Sequence, residues 1–251
     1  SKMTVIHLGV ELATFKPQPK QDRTFRVMFA GALSLQKGTH VLLQAFANLD
    51  IPNKELLLVG RIYPEIERVV SRYKGAIRLV PGVPQHELAA MYSSASVFVI
   101  PSIQDGFPMV AIEAMACGVP VVASNIGANK DIIDHGQQGF LTTTLNDWYE
   151  AIMALYSSAD LRKSMSHKSR NRVEKKYHLG ITAPVFFTVS GFIFTYLLIR
   201  VPGKGFDNPR VIKGIRRGLQ LLFIGYLLRL NFFGLFKGQI YEAFYLVDVL
   251  H

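Results

Sequence analysis

Residues 96–124, "SVFVIPSIQDGFPMVAIEAMACGVPVVAS", hold a strand, a loop, a helix and a second strand in succession. "SVFVIPS" (96–102) and "VPVVAS" (119–124) are apolar runs of strand length, rich in β-branched residues. Between them a Gly-Pro loop precedes an apolar segment long enough for a helix. Two parallel strands joined by such a crossover are the repeating unit of an α/β sheet. Asp105 and Glu113 stand in this stretch with seven residues between them. Glu113 is the only charged side chain between Gly106 and Asn129. A lone carboxylate in so apolar a run either reaches solvent at an edge or holds a polar partner, because burying it alone costs several kcal/mol.

The same alternation continues on both sides. "FRVMFAG" (25–31), "KELLLVG" (54–60) and "AIRLVPG" (76–82) are expected strands before it, and "GFLTT" (139–143) is one after it. The helices expected between them are "KGTHVLLQAFANL" (37–49), "PEIERVVSRYK" (64–74) and "HELAAMYSSA" (86–95). "LNDWYEAIMALYSS" (145–158) and "ADLRKSMSHKSRNRVEKKY" (159–177) close the unit. In the first of these helices Val41, Leu42, Ala45, Phe46 and Leu49 form one apolar stripe. The fold expected for residues 1–178 is α/β, a Rossmann-like parallel sheet with helices on both faces.

After His178 the composition changes. "LGITAPVFFTVSGFIFTYLLI" (179–199) carries no charge and is long enough to cross a bilayer at about 1.5 Å per residue. A loop holding six cations and one acid follows, then "GLQLLFIGYLLRLNFFGLF" (218–236), interrupted only by Arg229. Residues 179–251 are therefore expected to be a helical, membrane-spanning segment that the chain end truncates. A cytosolic first part feeding one span puts the loop 200–217 outside, whereas the positive-inside rule places so basic a loop in the cytoplasm. Either 179–199 does not cross, or the two parts were not made for each other.

The chain has 28 Lys and Arg against 18 Asp and Glu, for a net charge of +10. The excess divides evenly, with 20 basic and 15 acidic residues up to His178 and 8 and 3 after it. Spread in this way it forms no nucleic-acid stripe, so a nucleic-acid partner is not expected. It suits an anionic ligand or an anionic membrane surface. One cysteine, Cys117, excludes an internal disulfide framework and a cysteine zinc cage. That single cysteine fits a reducing compartment, and the N-terminal stretch shows no signal-peptide pattern.

Four features fall at the C-terminal edge of the expected sheet, where open parallel sheets bind ligands. Gly31 permits a tight turn after the first strand, and Lys37 at the next helix start reaches toward an anion or simply into solvent. Pro108 suits the first helical position of "DGFPM", leaving the amides of Met109, Val110 and Ala111 to meet a phosphate. Glu113 shares a face with Val110, Ala114 and Cys117, all small enough for a ligand to approach. Its two oxygens match a pair of vicinal hydroxyls, as on a ribose. Asp105 either caps the helix or accepts hydrogen bonds from a sugar.

"FAGALSLQKGTHVLLQAF", "LLLVG", "ELAAMYSSASVFVIPS", "DGFPMVAIEAMACGVPVVAS" and "GANKDIIDHGQQGFL" together resemble the nucleotide-sugar-binding half of a GT-B glycosyltransferase. The likeness is to the large retaining group that carries an acid pair with seven residues between, and it spans about residues 5–178. It implies a two-domain enzyme that transfers a sugar, with retention, from a nucleotide-diphosphate donor to a glycan or lipid-linked acceptor. No metal and no further cofactor are implied. By resemblance Glu113 binds the ribose and Asp105, the catalytic position, lies against the donor sugar. Lys37 binds the diphosphate after the Gly31 turn, assisted by the helix start from Gly106 through Phe107 and Pro108 to Met109. Gly82 and Val83 pack on the base.

This chain departs from that pattern at three points. The family commonly has arginine where Ala32 stands, and loss of that charge-assisted contact costs on the order of 1.5–3 kcal/mol. The first acid is usually glutamate, and Asp105 is one methylene shorter. The acceptor-binding half is absent, so donor binding without transfer is expected of this segment alone. "APVFFTVSGFIFTYLLIR" and "RRGLQLLFIGYLLRL" resemble the opening spans of a heparan-glucosaminide acetyltransferase-type membrane acyltransferase, and no catalytic residue carries over to them. Three readings follow: a donor-binding half at the cytoplasmic face of a membrane, a membrane-anchored module with decayed catalysis, and a composite of two truncated frames.

Overall fold

The computed structural model describes residues 8–73 and 76–180. The chain divides into two units, residues 1–183 and 184–251, and the described residues belong to the first. The expected membrane spans within 179–251 lie almost wholly outside the described residues. Among the described residues no helix is long and apolar enough to cross a membrane.

Six strands form one parallel sheet: β1 (Phe25–Ala30), β2 (Lys54–Val59), β3 (Ile77–Val80), β4 (Val97–Ile100), β5 (Val121–Ser124) and β6 (Gly139–Thr142). Their order is β3-β2-β1-β4-β5-β6. The helices are α1 (Thr39–Ala47), α2 (Pro64–Val70), α3 (Gln85–Ser94), α4 (Met109–Ala116), α5 (Asn129–Ile132), α6 (Leu145–Ser157) and α7 (Ala159–Lys176). All six expected strands and six expected helices are present, with ends shifted by a few residues. The four-residue α5 was not expected, since a single turn carries no periodicity.

Side chains sort between the two faces by the two-residue period of a strand. Met28, Ala30, Leu57, Val59, Phe98, Ile100, Val121 and Ala123 enter one core with Ala89 and Tyr92 of α3 and Ile112 and Met115 of α4. Val27, Phe29, Leu56, Leu58, Val97, Val99 and Val122 enter the other, with Leu42 and Phe46 of α1, Ile66 of α2 and Trp148 of α6. Both faces of the central strands are covered, so β4 and β5 read as unbroken apolar runs rather than alternating ones, whereas the edge strand β3 exposes Arg78 and Leu79. Each fully buried Val, Leu, Ile or Phe contributes about 1.5–3 kcal/mol of burial.

Local chemistry fixes the helix ends. Thr144 Oγ1 accepts from the Asp147 amide at 3.2 Å while the Asp147 carboxylate accepts from the Thr144 amide at 2.9 Å, which starts α6. Ser158 accepts from the Leu161 amide at 3.1 Å and starts α7. At the opposite end of the sheet from the candidate site, β1 carries the buried Arg26, which bridges Glu55 at 2.5 Å and Asp22 at 2.9 Å.

The strand order reverses between β1 and β4. The chain leaves β1 toward one side of the sheet and leaves β4 toward the other, so their C-terminal loops diverge and a crevice opens between them.

Candidate functional site

Both loops at this crevice are held by close backbone contact. Gly31 ends β1 with φ +137, and a Cβ on Gly60, after β2, would lie 2.0 Å from the Gly31 carbonyl oxygen. Gly38 precedes α1 with φ +68, and a Cβ there would lie 1.8 Å from the Pro101 carbonyl oxygen after β4. The Ile103 amide donates to the Gln36 carbonyl at 3.0 Å. The turn after β1 is thereby sewn to the loop after β4, although 65 positions separate Gln36 from Pro101.

This stitching brings Lys37 and Asp105 together. Lys37 Nζ donates to Asp105 Oδ2 at 2.7 Å, and Ser102 Oγ donates to the same oxygen at 3.3 Å. The lysine side chain is 32% exposed and the aspartate 15%, so the pair sits half-buried at the crevice floor. Lys37 is neither simply solvated nor part of α1, since the left-handed Gly38 separates it from the helix. Asp105 pairs with the lysine, and α4 has no side-chain cap.

The start of α4 differs from expectation by one residue. Pro108 has ψ 94 and stands at the cap position, outside the helix. Its carbonyl accepts the Ala111 amide at 3.0 Å, so Ala111 offers no free N–H. Met109 and Val110, the first two residues of α4, present amides that have no intrahelical acceptor before them. Phe107 packs its ring against Tyr177, 6.3 Å between centroids. Gly106 and Gly82 have open space around them, and Val83 is half-buried against the core at the loop into α3.

Glu113 departs further from the expectation. Its face of α4 is not open along its length: Ala114 and Cys117 are buried against α3, with Cys117 Sγ 3.7 Å from the Ala89 carbonyl. The small residues there admit a neighbouring helix. Glu113 is itself 7% exposed, and its Oε2 accepts the Tyr92 hydroxyl proton at 2.9 Å. Burial raises the carboxyl above its ordinary value, while hydrogen bonds from Tyr92 and then Gln85 pull it back. Tyr92, fully buried and raised well above the usual phenol range by burial and the adjacent carboxylate, stays a donor. Tyr92 is not among the residues singled out from sequence, because its partner is set by how α3 packs on α4. The Cys117 thiol is pushed up to about 12 by burial and stays protonated.

Because the folded Glu113 carboxyl is raised, its contribution to stability is present below its unfolded value and is lost as pH rises through the folded one. Glu113→Gln keeps an acceptor for Tyr92 and removes the buried charge. Denaturant unfolding should show the variant about 1 kcal/mol more stable at pH 8, with the gain vanishing toward pH 4. A pH-independent difference would refute this.

A cavity of about 460 Å³ opens at the other end of the strands, lined by Lys20, Arg23, Ser96, Arg162 and Lys163 among others. Two of its cations are engaged: Lys20 donates to the Thr24 carbonyl and Ser96 Oγ, and Arg162 to the carbonyls of Leu155 and Tyr156. The crevice at the C-terminal ends carries the convergent polar groups, and it is the candidate site. Among the described residues no group of three His, Cys, Asp or Glu side chains could hold a metal.

The family described as Glycosyl transferases group 1 matches residues 11–172, more than half of the chain. This chain belongs to that family. A D-inositol 3-phosphate glycosyltransferase of Pseudarthrobacter chlorophenolicus is 34% identical over 188 residues, covering 66% of this chain and 44% of that protein. An uncharacterized glycosyltransferase of Methanocaldococcus jannaschii is 34% identical over 151 residues, covering 59% and 43%. The chain thus spans less than half the length of these group 1 relatives. The fold agrees: sucrose-phosphate synthase from Thermosynechococcus elongatus superposes with a TM-score of 0.69 at 28% identity, over 76% of this chain and 52% of that one. Anabaena HepE, solved with UDP-glucose, superposes with a TM-score of 0.67 at 22% identity, over 75% and 57%, and shares the fold. The group 1 match ends at residue 172, before the segment 179–251.

Proposed function

We propose that residues 8–178 form the donor-binding half of a retaining glycosyltransferase, holding a nucleotide-diphosphate sugar in the crevice between β1 and β4. The observation that carries this reading is the meeting of Lys37 and Asp105, 2.7 Å apart beside the start of α4. In this reading the diphosphate takes over the Lys37 ammonium and accepts from the Met109 and Val110 amides, whose helix end favours negative charge. Lys37 then no longer neutralises Asp105, whose carboxylate faces the donor sugar near the carbon that reacts. The Glu113 carboxylate, held by Tyr92, accepts from the ribose hydroxyls in place of Gln85, and Gly82 and Val83 lie under the base. The diphosphate charge is countered by lysine and amides, with no metal required. Membership of a glycosyltransferase family supports the reaction class, and the UDP-glucose of the Anabaena protein is a ligand of the chemistry proposed here.

Transfer needs an acceptor surface, of glycan or lipid-linked type, facing the crevice from a second half. Isothermal calorimetry on the full chain with uridine, guanosine and adenosine diphosphates tests the donor reading. One of them should bind, and Glu113→Ala should weaken it roughly tenfold or more, about 1.4 kcal/mol. Folded wild type that binds none, or a variant that binds as well, would sink the proposal.

A further inference from the structure

We infer that Tyr92 is a positioning residue for nucleotide recognition: its buried hydroxyl fixes one oxygen of Glu113 so that the other is aimed at the ribose. The inference rests on the donor-binding reading above. It begins from the unlike partners of the carboxylate: Glu113 Oε2 accepts from the fully buried Tyr92 at 2.9 Å, and the carboxylate's other hydrogen-bond partner is the exposed Gln85.

The donor is itself held rigidly. Tyr92 is fully buried, its ring stacking edge-on to Phe98 of β4 at 5.2 Å and tilted against Phe15 at 6.1 Å. Ala89, one turn earlier on α3, packs beside it against Ala114 and Cys117. A phenol anchored between a sheet and a helix cannot follow the carboxylate if it rotates, so the carboxylate keeps the orientation the phenol sets. A glutamate has three rotatable bonds and loses considerable side-chain entropy when ordered. Fixing it before the ligand arrives transfers that cost from binding to folding, which is the physical content of preorganisation. Gln85, exposed on the first turn of α3, also hydrogen-bonds Glu113 and is the partner a ribose would replace.

The test separates positioning from mere packing by comparing two ligands. The tightest binder among uridine, guanosine and adenosine diphosphates and its 2′,3′-dideoxy counterpart are titrated calorimetrically into the full chain. Wild type should prefer the ribose form about tenfold, about 1.4 kcal/mol. Tyr92→Phe should narrow that preference to about twofold while leaving dideoxy affinity unchanged. Equal loss for both ligands would mean a structural role and overturn the inference, as would an undiminished preference. In the Glu113→Ala background, where no carboxylate is left unpaired, Tyr92→Phe should change neither affinity; a further loss confined to the ribose form would overturn it too. A wild type that binds the diphosphate without preferring ribose removes the role of Glu113 in the donor reading, and the inference falls with it. A wild type with the preference and a Tyr92→Phe variant that keeps it removes the inference alone.

Discussion

Gly38→Ala should abolish nucleotide binding and cost about 3 kcal/mol or more of stability. The left-handed backbone at φ +68 alone costs a side-chain-bearing residue roughly 1–2 kcal/mol. The new methyl carbon would also sit 1.8 Å from the Pro101 carbonyl oxygen, a backbone atom that cannot swing aside. Relief requires the turn after β1 to part from the loop after β4, which breaks the Ile103–Gln36 hydrogen bond and separates Lys37 from Asp105. Stability and binding therefore fail together. Gly82→Ala and Gly106→Ala are the controls: both positions have open space and neither has a positive φ, so stability should move by less than about 0.5 kcal/mol. Urea unfolding and calorimetry of the three variants decide the matter, and a Gly38→Ala protein as stable as the controls would refute the account.

Arg26→Ala should cost about 3 kcal/mol, the low end for removing one member of a buried ion pair. Arg26 is 6% exposed and donates to Glu55, to Asp22 and to the Ser94 carbonyl at 2.9 Å. Its loss strands Glu55, whose side chain is 17% exposed, but Arg78 remains 3.5 Å away and limits the damage. The pH dependence carries a second signature. The Arg26 hydrogen bond is the chief cause that holds Asp22 below its ordinary value of 3.8. A depressed carboxyl contributes stability above its unfolded value and loses it as pH falls through the folded one. Wild type should therefore lose stability more steeply than the variant below about pH 4. Parallel pH profiles would show that Asp22 does not depend on Arg26. Nucleotide binding should persist, because Arg26 lies at the opposite end of the sheet from the crevice.

The sheet was legible because buried parallel strands are written as largely apolar runs: glycine follows β1 and β2 and opens β6, while β4 needs only its apolar run between Ser96 and Pro101. Pro108 misled by one residue: proline's fixed φ suits either the cap or the first helical position, and only ψ distinguishes them. The pairing of Lys37 with Asp105 was not legible. It depends on strand order, and nothing local places β4 rather than β3 or β5 beside β1. The apolar run around Glu113 demands a polar partner, yet only the packing of α3 on α4 makes that partner Tyr92. Small residues on the glutamate's face read equally as room for a ligand or for a helix, and Ala114 and Cys117 meet α3.

The central strand pair also governs how the site comes into being. Val27 of β1 meets Val97 of β4, about 70 residues later, after β2 and β3 have already been laid against the other side of β1. Closing so long a loop is entropically costly and slow compared with the local β-α-β steps around it. During synthesis the first three strands can assemble with Lys37 already on its turn, while the acid it will meet is still unmade. The crevice is thus a late product of folding, and nucleotide binding would report the docking of β4 rather than the collapse that precedes it.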